Sequence, residues 1–170
     1  MLDSLIGRLV RLARLDMAVF KEISEEPQAT REAAIIAFLA SLMAALGGFA
    51  LLGNSAGGLL VRLATGLFVN WLLWSVLAKF AAGLLYQRDV PLIGMIRAFG
   101  YAMAPIALGI LGIFGCLGDL ISLVGWALAA FLGFHAVRET ADLSTEGSVV
   151  TIVLSAGLVL IIDVLLRLAL

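Results

Sequence analysis

Residues 33–52 read AAIIAFLASLMAALGGFALL, an apolar run with no charged side chain. Its length matches the roughly 20 residues with which a helix crosses a hydrocarbon core about 30 Å thick. Inside lipid every backbone amide and carbonyl must be satisfied within the protein, and a segment of this length does so on its own only as a helix. Four further apolar runs follow near 59–86, 92–114, 120–137 and 149–168, separated by short polar or glycine-rich turns. The chain therefore reads as all-α, a polytopic membrane helix bundle of about five spans. It divides into a lead over 1–31 and a membrane domain over 32–170.

Composition agrees. Hydrophobic residues make up 63% of the chain and mean hydropathy is +1.14, against about 45–50% apolar residues for an average soluble domain. The 11 basic and 12 acidic residues gather in the lead and between the runs, as a hydrocarbon solvent requires. Their net charge of -1 points to no particular partner, and no nucleic acid is expected. The single cysteine, Cys116, rules out an intramolecular disulfide and is too little for a cysteine-based zinc or iron–sulfur site. The first run begins behind Arg8, Arg11, Arg14, Lys21 and the acidic stretch Glu22 to Glu26, unlike a cleaved signal peptide, so the amino terminus is expected to be retained. There is no Ser, His and Asp set, no HExxH and no glycine-rich phosphate loop. An enzyme is not expected, and no cofactor or metal is assigned.

In the lead, Leu2, Leu5, Ile6, Leu9, Leu12 and Ala13 recur at helical spacing, while Ser4, Arg8 and Arg11 fall on the other face with Arg14 beside them. This is a basic amphipathic helix, suited either to the headgroup layer of an anionic leaflet or to the end of the bundle. Asp16 is placed to cap a short helix that turns Met17, Phe20 and Ile23 toward the membrane, and Thr30 to cap the first span, with Glu32 at the positive end of its dipole. Basic residues decide the orientation. Arg8, Arg11, Arg14, Lys21 and Arg31 precede the first span, Arg88 and Arg138 occupy alternate loops, and the turns at 53–58 and 115–119 carry none. The amino terminus is then cytoplasmic and the carboxyl terminus outside, with Arg167 the one mild conflict. Abundant alanine, leucine and glycine, with arginine preferred over lysine, suggest a bacterial inner membrane.

Charges within the runs are the candidate sites. Asp163 and Arg167 lie one helical turn apart near the outer end of the last span and can pair, with Arg62 of the second span near the same depth. Lys79, Arg97 and His135 fall in the cytoplasmic halves of their spans and suit a lipid headgroup or a partner's carboxylate if they converge. Snorkelling alone explains either set at low cost. Asn70, Trp71 and Trp74 read as packing with one interhelical hydrogen bond. Pro105 predicts a kink in the third span. Gly109, Gly112, Gly115 and Gly118, and then Gly125, Ala129 and Gly133, predict close packing of the third and fourth spans.

Two stretches resemble the Yip family of membrane proteins. One is Arg14, Leu15, Asp16, then Phe20, Lys21, Glu22, Ile23, then Pro27, Gln28, Ala29, Thr30 and Ala33; the other is Arg97, Gly100, Tyr101, Ala102 and Pro105 in the third span. The first looks like bacterial members, and the second is similar to the family's Gly-Tyr followed by a proline in an apolar helix. The resemblance implies a five-span layout with a cytoplasmic amino terminus. Eukaryotic members are partners of Ypt and Rab GTPases, but this chain lacks their long cytosolic region and their Asp-Leu-Tyr-Gly-Pro segment, so GTPase binding is not carried over.

The functional expectation is a non-enzymatic membrane organiser or partner-recruiting scaffold. Arg8, Arg11 and Arg14, with Lys79, Arg97 and His135, are its contacts to membrane lipids or to a protein partner at the cytoplasmic lead. The rival is a small transporter or channel for an ion, lipid or solute around Arg62, Asp163 and Arg167, which calls for a homo-oligomer because five short spans leave little room for a pore.

Overall fold

A computed structural model describes residues 2–52 and 56–169, with side chains except those of residues 2, 49–52, 119 and 167–169. Among the described residues there are helices and no strands. Two short helices, α1 (Leu2–Ala13) and α2 (Val19–Glu25), precede span one, α3 (Ala29–Leu52). Span two is composite: α4 (Ala56–Ala64), a π-helical segment (Thr65–Leu73) and α5 (Trp74–Tyr86). Span three joins α6 (Leu92–Ala102) to a 3₁₀ segment (Ala104–Phe114). Spans four and five are α7 (Cys116–Ala141) and α8 (Thr145–Ala169). Five helical stretches are long and apolar enough to cross a membrane: Ala29–Gly48, Ala56–Tyr86, Leu92–Phe114, Cys116–Ala141 and Thr145–Leu166. Spans four and five extend beyond the apolar runs, into Cys116–Ala141 and Thr145–Ala169, because the flanking residues continue the helices.

The lead does not follow its expected capping. The Asp16 carboxylate accepts a bond from Arg11 Nε at 2.8 Å, and α2 begins after Ala18 without a side-chain cap. Between the two helices Leu15 adopts φ 62, a left-handed conformation uncommon for a bulky side chain. Thr30 lies inside α3, and its hydroxyl accepts from Arg97 Nε at 2.7 Å. The apolar side of α2 also faces differently: Val19, Phe20 and Ile23 are wholly buried against α6 and α7 rather than turned to lipid.

Spans one and three run parallel, backbone against backbone. A Cβ on Gly100 would stand 2.5 Å from that of Ala33, one on Gly109 2.8 Å from that of Ala44, and one on Gly47 1.9 Å from the Gly109 carbonyl oxygen. Gly109 and Gly112 therefore serve span one rather than span four, whereas Gly118, at the start of span four, does lie against span three at the Leu111 carbonyl. The span-four stripe does meet span three: Gly125 lies against the Pro105 carbonyl, while Gly133 admits Phe99, Trp74 and Ile152. In place of a simple kink, the helix after Met103 tightens to 3₁₀ winding, with Pro105 at its start where its missing N–H costs least. Gly115, at φ 67, turns the chain into span four.

At the centre Trp74 is 1% exposed, edge-on to Phe99 at 5.3 Å and stacked on Trp126 at 5.7 Å. Its indole N–H donates to Ser155 Oγ at 3.1 Å, tying span two to span five, and Trp71 donates to the Ile96 carbonyl at 2.9 Å, tying it to span three. Close backbone approach of this kind is how helices associate in lipid, where no hydrophobic force drives them together. Gly47→Ala should accordingly lower the unfolding midpoint in detergent, overpacking costing about 1–3 kcal/mol. Gly157→Ala, with nothing near its added methyl group, should leave the midpoint unchanged or raise it.

Candidate functional site

Two polar assemblies stand out. The first joins the lead to the bundle. Glu32, three residues after the start of α3, is completely buried, and a carboxylate there must be paired or forfeit several kcal/mol of lost hydration. Arg8 Nη1 donates to its Oε2 at 2.6 Å, Ser4 Oγ to its Oε1 at 2.5 Å, and the Tyr101 hydroxyl to Oε2. The Arg8 Nε donates in turn to Glu22 Oε1 at 3.0 Å, and Glu22 Oε2 accepts from Arg11 Nη1 at 2.6 Å. One chain of charge thus links α1, α2, α3 and α6. Burial works against the Arg8 charge, but its hydrogen bonds with Tyr101, Glu22 and Glu32 outweigh it and hold the guanidinium above its ordinary value. The Arg11 hydrogen bond, followed by that of Arg8, holds the Glu22 carboxyl below the usual range against the opposing effect of burial.

Arg8 and Arg11, expected at lipid phosphates or at a partner, bond to carboxylates of the chain itself, Arg8 buried and Arg11 still partly exposed. Arg14 alone of the three stays exposed with no partner among the described residues. The apolar groups of α1 divide: Leu5, Leu9 and Leu12 pack inward, while Ile6, Val10 and, in the turn, Leu15 face out. Lys79, Arg97 and His135 do not converge. Lys79 lies over Phe80, 5.8 Å from the ring centre, and Arg97 clamps Thr30 and the Ser24 carbonyl. His135 sits edge-on to Phe131 and Phe134, with its Nδ1 buried and unpartnered.

The second assembly is a cavity of about 680 Å³ in the half of the bundle away from the lead. Gly58, Arg62, Gly66 and Asn70 line it from one side of span two, Ser41 and Ala45 from span one, Met103 and Ile106 from span three, and Asp163 from span five. The structure brings Arg62 and Asp163 to one cavity; the side chain of Arg167, and with it the expected pairing to Asp163, lies outside the described residues. Asn70, read from sequence as packing, is a wall of this cavity, on the π-helical segment. Ser41 was not foreseen: an isolated serine in an apolar helix usually bonds back to its own backbone, and only tertiary structure shows that this one is buried with an unpartnered hydroxyl. Glu32 and Tyr101 each carry a local signal, as a helix-start acid and as part of a motif, but their meeting depends on the register of spans one and three. Among the described residues no three His, Cys, Asp or Glu side chains come together to hold a metal ion.

Removing either partner of the buried ion pair strands the other, a loss of about 3–5 kcal/mol. Arg8→Ala and Glu32→Ala should each destabilise the protein in detergent by that order, the double variant by much less than their sum, and Arg14→Ala by less than about 0.5 kcal/mol. Equal effects of Arg8→Ala and Arg14→Ala in thermal unfolding would refute the assignment.

No curated protein and no solved structure matches the chain. The family model described as the Yip1 domain matches residues 17–166, nearly the whole chain. That match takes in the α2 and α3 junction, the Gly100, Tyr101 and Pro105 motif and all five candidate spans, and the chain belongs to the Yip1-domain family of membrane proteins.

Proposed function

We propose that the chain is a non-enzymatic organiser of a bacterial inner membrane, with α1 and α2 forming a fixed cap on its cytoplasmic side. The observation that carries this reading is the Arg8, Glu32 and Tyr101 junction, which holds α1 in one orientation with Ile6, Val10 and Leu15 outward beside Arg14. Backbone contact between α1 and the rest of the chain is made chiefly with α2, so the charged junction and the inward leucines do most of the holding. An apolar ridge flanked by a free guanidinium suits the headgroup layer of an anionic leaflet, with Arg14 at the phosphates. The same ridge is the surface a partner protein would meet. The cytoplasmic placement follows from the basic residues of the lead and of the loops near Arg88 and Arg138. A second reading, a transporter or channel in which copies of the chain assemble, is favoured by the cavity that Arg62 and Asp163 share.

The first test is photo-crosslinking in cells from probes at Val10 and Leu15. Reproducible lipid or protein adducts that disappear in Glu32→Gln, where the cap loses its anchor, are the expected result; intramolecular products alone would remove the cap as a contact surface. The pH dependence has a definite sign. Because Glu22 is held below its free value, its contribution to docking is fully present above about pH 4.3 and is lost as pH falls through the lower, folded value. Hydrogen-exchange protection of α1, corrected for intrinsic rates, should be level from pH 7 to about 5 and then drop, and Glu22→Gln should flatten that drop.

A further inference from the structure

Polar side chains inside a membrane are costly, and they face a ligand, a pathway or one another. The cavity walls carry five: the Arg62 guanidinium, which has no hydrogen-bond or ion-pair partner among the described residues, the Asp163 carboxylate, the Asn70 amide, the Thr65 hydroxyl and Ser41. Thr65, a lining residue, donates to the Val61 carbonyl at 2.9 Å, which leaves its oxygen able to accept. Ser41 is 3% exposed with its hydroxyl unpartnered, a buried group that calls for an acceptor or donor brought in from outside. We infer that this cavity binds the headgroup of a zwitterionic phospholipid, with its phosphate on Arg62 and its ammonium on Asp163.

Three features select this ligand class. Both signs of charge line one space, which suits a ligand carrying a phosphate and an ammonium and penalises one with a single sign. The volume, about 680 Å³, lies in the range of small-molecule sites, roughly 300–1,000 Å³. It far exceeds a bare cation's needs, since such an ion is caged by oxygens at about 2.0–2.6 Å. The third feature is access from the side. Span five packs on α5 and on the π-helical segment but not closely on α4, and α4 has no buried residue. The halves of spans two and five away from the lead therefore part, and Val61 is at once a cavity wall and 41% exposed. A headgroup can enter through this gap while its acyl chains stay in the bilayer.

The π winding supports the same reading. Single-turn π bulges recur at functional sites, and here a longer π stretch keeps Gly66 and Asn70 on the side of span two that Gly58 and Arg62 begin. Gly66 is needed for closeness, a Cβ there lying 2.6 Å from Ser41 Oγ. The inference is independent of the proposed role of the cap, which occupies the opposite end of the bundle.

Native mass spectrometry of the purified full chain, offered equimolar phosphatidylethanolamine and phosphatidylglycerol in detergent, tests it. One ethanolamine-lipid adduct should dominate in the wild type. Arg62→Ala should reduce it at least roughly tenfold, the worth of charge-assisted hydrogen bonds. Asp163→Asn should erase the preference between the two lipids. Thr65→Val, close in shape and half-exposed in position, keeps the test open if a charge variant fails to fold, and should weaken the adduct about fivefold. Equal adducts in wild type, Arg62→Ala and Thr65→Val would overturn the proposal. Displacement of the lipid by millimolar soluble phosphoethanolamine would overturn the lipid as the source of the headgroup and make the cavity a solute site.

Discussion

A carboxylate placed where the first span enters the apolar bundle has to find partners, and much of the architecture at that end answers to Glu32. Its side chain is wholly buried, so its charge is tolerable only when hydrogen-bonded on both oxygens. Ser4, Arg8 and Tyr101 supply those bonds from two other helices. The lead is in this way folded onto the bundle by a charge that the bundle itself requires to be neutralised. Arg8 cannot then serve lipid phosphates, and Glu22, bridging Arg8 and Arg11, extends the same constraint to α2.

The junction depends in turn on how closely spans one and three approach. Gly100 lets Ala33 come to it with no side chain between, which brings Tyr101, the residue after Gly100, to Glu32, the residue before Ala33. The same contact continues at Gly109 and Gly47, where the 3₁₀ winding after Pro105 keeps glycine facing span one. The Gly, Tyr and Pro residues of the family motif thus have a joint physical meaning: approach, hydrogen bond and change of winding in a single span. Their exchange for larger or apolar residues would act on the fold before it acted on any ligand.

At the opposite end the constraint is relaxed. Span two lies against span one there but parts from span five, and its middle turns widen to π winding. Packing in lipid gives no return for closing a gap that lipid can fill, so a cavity with polar walls persists only where those walls are useful or mutually satisfied. The molecule is therefore asymmetric, with a tightly bonded cap at one end and a polar, laterally open space at the other.

The sequence by itself determined the solvent and the class. Runs as apolar as 33–52 and 149–168 can only be helices in lipid, and the turns between them, with the Yip-like residues, called for five spans, the number of long apolar helices among the described residues. It also carried the charges worth examining, because any ionised group in such runs is rare enough to notice. What it could not carry was the direction of each charge. Arg8 lies on the polar side of a basic helix, and whether that side meets phosphate or a buried carboxylate depends on where Glu32 and Tyr101 come to rest, positions set by the register of other helices. Arg62 and Asp163 are a hundred residues apart, and their sharing a cavity with Ser41 and Asn70 was decided by the separation of spans two and five, a property of packing that no local pattern encodes.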